Sequence, residues 1–148
     1  MSQLHRSTLV VAALALSLSG ACEDPTASEL LLPAGATRFT PEPIFREWWA
    51  QVEACAGRQA SFDAVSWWVV PGEVPFDAPG VPHPVLGYWH PADNRIVLLE
   101  WVPNRTSLVR HEALHAILRR ADHPHEYFET RCGAMIEAPG VAFDCVVP

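Results

Sequence analysis

A small α+β domain is the fold class this sequence predicts, and three observations carry the prediction. Apolar side chains recur at helical spacing over residues 44–56. Three runs rich in β-branched and aromatic residues follow, at 62–70, 85–90 and 95–101. A further apolar run, from Leu108 to Leu118, carries two histidines one helical turn apart.

In the first of these segments Ile44, Phe45, Trp48, Trp49, Val52 and Cys55 share one side of a helix. Arg46, Glu47 and Gln51 fall on the other, and Gly57 ends it. The run from Phe62 to Val70 reads as a strand stopped by Pro71-Gly72. Five prolines and two glycines between Pro71 and Pro84 make that stretch a loop of restricted conformations. The runs 85–90 and 95–101 flank Pro91-Ala92-Asp93-Asn94, which predicts a hairpin with a four-residue turn.

The histidine-bearing helix follows at once. Asn104, Thr106 and Ser107 offer capping side chains after Pro103, and Arg119 and Arg120 place cations where the helix dipole favours them. Little polar surface remains on this helix, so it is expected at the centre of the domain, packed on both flanks. Residues 124–132 suggest a second short helix, with Pro124 at its start, Glu126 in the first turn and Arg131 near the end. Residues 133–148 are apolar without a pattern that assigns them.

Before the domain lie two other segments. Residues 1–21 read as an export signal, with Arg6 as the charged start, Leu9 to Leu18 as the apolar stretch and Ser19-Gly20-Ala21 before Cys22. This resembles bacterial lipoprotein signals, which implies lipidation at Cys22, although Ser19 stands where those signals usually have Leu. Residues 22–43 read as a tether, within which Leu30-Leu31-Leu32 is apolar enough to dock on the domain. The domain itself is expected over residues 44–148, and all six tryptophans fall in it.

A formal net charge of −7, with arginine as the only strong base, argues against a nucleic-acid partner, because phosphate binding needs a basic face. Four cysteines stand at 22, 55, 132 and 145, without the paired spacing of a zinc knuckle. Export makes a disulfide plausible. Cys55 ends the first helix and Cys132 ends the short helix after the histidines, so Cys55–Cys132 is the expected bridge. Cys132–Cys145 is its competitor.

The chemistry concentrates in His111-Glu112-Ala113-Leu114-His115. On a helix His111 and His115 present two imidazoles to one metal ion. Glu112 beside them is placed to take a proton from a water on that metal. His83 and His90 lie in a loop and at a strand end, and are expected at most at the rim of a site.

Backing helix, small sheet and His-Glu-x-x-His helix, in this order, resemble the zincin metallopeptidases. The resemblance spans residues 44–132 in element order, and residues 108–128 carry its specific part. Within the zincins the segment from His111 to Phe128 looks most like the SprT-like and related minimal forms. There a third histidine follows a short turn after the helix, with an aromatic a few residues later. The segment Asp122-His123-Pro124-His125-Glu126-Tyr127-Phe128 fits that outline. Asp122 and Pro124 replace the glycines of the SprT-like pattern, and the basic nucleic-acid region is lacking. The metzincin pattern is excluded, since its third His and its Gly would fall on Ala121 and Leu118.

The resemblance implies a zinc-dependent hydrolase acting on a peptide or protein substrate, with Glu112 as general base. Tyr127 is the expected oxyanion stabiliser, ahead of Arg110 and His125. Substrate is expected to add as a strand at Gly87-Tyr88-Trp89. His123 is the expected third ligand. The residue before a proline leaves the helical region, so His123 sits at a bend and can turn back toward the metal, with Asp122 positioned to orient an imidazole. His125, Glu126 and Glu129 are the alternatives. A second reading from another class is an exported lipoprotein whose zinc site only stabilises a binding or structural module.

Overall fold

The computed structural model describes residues 32–102 and 105–136. Its elements are strand β1 (Thr37–Arg38), helix α1 (Pro43–Ala56), strands β2 (Ser66–Val70), β3 (Gly87–His90) and β4 (Arg95–Leu99), helix α2 (Arg105–Leu118), a π-helical segment (Glu126–Arg131) and a short helix α3 (Gly133–Ile136). The four strands form one mixed sheet in the order β1-β2-β4-β3, so the domain is α+β as expected. β3 and β4 make the expected hairpin, while β2 and β4 run parallel.

Register decides which side chains meet the helices. Trp67, Ile96 and Trp89 lie side by side across β2, β4 and β3. All three belong to the main core with Phe45, Trp49 and Val52 of α1 and Leu108 and Leu114 of α2. The next row, Trp68, Val97 and Tyr88, points to the opposite face because strand side chains alternate. That face carries a second core of Val70, Ala78, Val85, Tyr88 and Val97, roofed by residues of the proline-rich stretch. Covered on both sides, β4 is buried at every position.

Several boundaries differ from the sequence reading. Residues 62–64 form a 3-10 turn and the strand begins at Ser66. Phe62 is drawn out of strand geometry by its packing, with ring centroids 5.6 Å from Trp49 and 5.4 Å from Trp67. Val85 pairs with Phe76 and so falls outside β3. Trp101 is past the end of β4, its N–H bonded to the Gly72 carbonyl.

The end of the expected tether belongs to the fold. Thr37 and Arg38 pair antiparallel with Val69 and Trp68, and the Phe39 N–H donates to the Trp67 carbonyl. Phe39 then packs edge-on against Phe45 and Trp67. Leu32 docks on the second core. Leu30, Leu31, the signal and Cys22 lie outside the described residues, as does the capping candidate Asn104. Thr106 and Ser107 fall inside the first turn of α2.

Cys55 and Cys132 are bridged, with Cα atoms 5.4 Å apart, which excludes Cys132–Cys145; Cys145 lies outside the described residues. Gly57 just beyond Cys55 has φ +64°, and the Arg131 guanidinium lies only 2.7 Å from where a Cβ would stand. Glycine suits that position for its left-handed backbone. The bridge and this contact hold the segment after α2 against the end of α1.

Candidate metal centre

Ten residues of α2, from Leu108, Val109 and then His111 through Leu118, are buried, which is the central position its sequence predicts. The helix stops at Leu118 because Arg119 takes the left-handed conformation, φ +56°. The Arg120 N–H then bonds back to the His115 carbonyl at 3.2 Å. His115 Nδ1 is 2.7 Å from the Arg120 carbonyl oxygen. A carbonyl can only accept, so Nδ1 carries the proton and Nε2 keeps its lone pair. This reciprocal pair of bonds fixes both the tautomer and the ring orientation of His115, the arrangement that metal-binding histidines use.

The turned chain delivers His123. Its Nε2 lies 3.0 Å from His111 Nε2, which lies 3.3 Å from His115 Nε2. The three ligand atoms all fall within 4.8 Å of one another. Tetrahedral coordination with nitrogens ~2.0–2.1 Å from a metal puts neighbouring nitrogens about 3.3 Å apart, so the set is near the spacing one ion needs. The three histidines are therefore close enough to bind a metal ion. Among the described residues no other group of three His, Cys, Asp or Glu converges in this way.

Burial favours the neutral form of His111 and His115. His111 is pushed well below the ordinary histidine pKa by loss of solvation, then by repulsion from His115 and His123. His115 is pushed down to about 4, again chiefly by burial, against the favourable pull of the Arg120 carbonyl. Metal-free protein should consequently lose stability on acidification. As pH falls from 6.5 toward 4, the unfolded chain takes up a proton at His115 that the folded chain refuses. His115 alone then accounts for roughly 3 kcal/mol across that window. Denaturant midpoints of chelator-treated protein at stepped pH measure it, and a flat profile from pH 7 to 4 would contradict this electrostatic picture.

Glu112 is completely buried (0% exposed) beside His111 in the same helix. An aromatic from the segment after the third histidine belongs to the centre: the Phe128 ring lies 4.5, 4.7 and 5.2 Å from His123, His115 and His111. It forms an apolar wall against all three imidazoles and limits their rotation.

Other expected site residues are engaged elsewhere. The Tyr127 ring packs on the main core under the guanidiniums of Arg58 and Arg131. Arg110 bonds Gln51 of α1, which ties the two helices together. His125 is 74% exposed and pairs with Glu129, while Glu126 pairs with Arg131, so none of these three is drawn toward the centre. Asp122 is held by the Arg120 side chain, and the acceptor that orients His115 is a backbone carbonyl instead. His90 bonds Asp93 at its own turn, and His83 faces the Pro84 carbonyl.

Models of known protein families, curated proteins and solved structures yield no match to this chain.

Proposed function

We propose that this chain is an exported zinc-dependent metallopeptidase of the zincin kind. The observation that carries the proposal is the convergence of His111, His115 and His123 Nε2 atoms on one point, with Glu112 next to His111. A backing helix α1, a small sheet, the metal helix α2 and a ligand from the following turn agree with that kind of domain. Zinc held by His111, His115 and His123 would supply Lewis acidity and lower the pKa of water at the site toward neutrality. Glu112 accepts the proton of the attacking water and returns it to the leaving amine. Arg120 holds His115 in register, and Phe128 keeps bulk water from the imidazoles.

Strand addition at Gly87-Tyr88-Trp89 is not favoured by the burial of β3: it is an outer strand, but all three residues are buried, and a Cβ at Gly87 would stand 3.1 Å from the Leu108 side chain of α2. The bridge between Cys55 and Cys132 accords with export to an oxidising compartment, where Cys22 would anchor the mature chain through lipid. Among the described residues no helix is long and apolar enough to cross a membrane.

One observation favours the second reading, a non-catalytic zinc that stabilises a binding or structural lipoprotein. Glu112, His111 and His115 are all almost completely shielded from solvent, as in closed structural sites. The donor set weighs against it: three protein ligands leave a position that a structural site would fill. Incubation with a mixed peptide library separates the two. We expect cleavage that chelator abolishes and added zinc restores. A zinc-loaded protein that leaves every peptide intact would favour the structural role.

A further inference from the structure

The two large apolar side chains most exposed among the described residues are Val74 (72%) and Trp101 (64%). Both lie in the segments that leave one end of the sheet. The Trp101 N–H bonds the Gly72 carbonyl, and the Glu100 N–H bonds that of Val70, so the chain beyond β4 runs beside the chain beyond β2. Pro71 and Pro75 are exposed there as well. An isolated exposed tryptophan needs no explanation, but a tryptophan grouped with a valine and two prolines marks a surface that excludes water elsewhere.

The N-terminal segment arrives at this same end. A Cβ at Gly35 would stand 3.5 Å from the Pro71 ring, and Leu32 packs on the core that contains Val70. Nine residues separate Leu32 from Cys22. Fully extended, that stretch reaches at most about 35 Å. A lipid at Cys22 would therefore hold this end of the domain within that reach of the bilayer.

We propose that the surface formed by Val74 and Trp101 docks on a lipid bilayer, with the Trp101 indole in the interfacial layer. Tryptophan suits that layer because its ring is apolar and its N–H is polar. The inference rests on the anchoring at Cys22 proposed above, and adds an apolar protein contact to it. Glu73 and Glu100 flank the patch, so its attraction is apolar and does not depend on anionic lipid. Docked this way, α2 starts only four residues beyond the membrane contact, at Arg105.

The test uses the full chain, purified from membranes and reconstituted in phosphatidylcholine vesicles with or without brominated acyl chains, which quench nearby indoles. Mass analysis of the Cys22 peptide reports the anchor separately. We expect brominated lipid to reduce the emission of wild type, Trp101→Phe to remove that reduction, and high salt to leave it unchanged. Val74→Ser with Trp101→Ser should weaken the binding of unacylated chain to vesicles by about tenfold. Equal quenching of wild type and Trp101→Phe, with Cys22 acylated, would overturn the proposal. If Cys22 proves unmodified, the anchor fails on its own. Quenching of the unacylated chain at high lipid concentration would then still support the surface, and its absence would overturn it. A dimer that dissociates on Trp101→Ser, with no quenching by lipid, would assign the patch to a second copy and also overturn the proposal.

Discussion

Glu112→Gln should keep the metal and lose roughly 10²–10⁴-fold in peptide turnover, the usual contribution of a general base. The amide has nearly the volume of the carboxylate, so a completely buried position tolerates it without a cavity. It cannot take up the proton that the water must release, and the reaction stops at that step. The three imidazoles do not include this side chain, so metal content should remain at the wild-type level. Turnover of a library-derived substrate and metal analysis are read on the same preparation. Wild-type turnover in the variant would remove Glu112 from the mechanism. Loss of metal together with turnover would mean that Glu112 serves the site's architecture instead.

Opening the disulfide should have the largest effect on stability. The bridge joins residues 77 apart in sequence, and closing a loop of that length removes about 4.5 kcal/mol of unfolded-chain entropy on the chain-entropy model. Cys55→Ala with Cys132→Ala should lower the denaturant midpoint accordingly, against a total stability for a small domain of about 5–15 kcal/mol. Metal affinity should fall as well, since the bridge fixes the segment bearing His123 and Phe128 to the end of α1. A double variant with unchanged midpoint would show that Arg131 over Gly57 and its bond to the Cys55 carbonyl suffice to pin that segment.

The residues of the centre were legible because their constraints are local. The spacing of His111 and His115 is a property of one helix, and Pro124 requires that helix to end before His123. The disulfide could be read from the ends of two elements. Illegible were the features that depend on distant partners. The two-residue strand β1 has no periodicity to detect, and the parallel pairing of β2 with β4 follows from burial of both sheet faces. Arg119 in left-handed geometry has no signal, because glycine or asparagine is what that position ordinarily selects. The hydrogen bond from His115 to the Arg120 carbonyl depends on that turn, and so was hidden with it. The resemblance led to an aromatic after His123, but that Phe128 sits against all three imidazoles was not readable from it. Tyr127 was the reverse case, a polar aromatic near the motif whose ring two arginines and the core already occupy.

Zinc titration of the wild-type chain beside His123→Ala and His125→Ala tests the central claim most directly. The wild type should bind one equivalent, and His125→Ala should match it because that ring is exposed and paired with Glu129. His123→Ala should lose affinity by more than the roughly 10–100-fold that removal of an outer-shell partner costs. A wild-type chain that binds no zinc, or a His123→Ala variant that binds it as tightly as wild type, would contradict the metal centre described above.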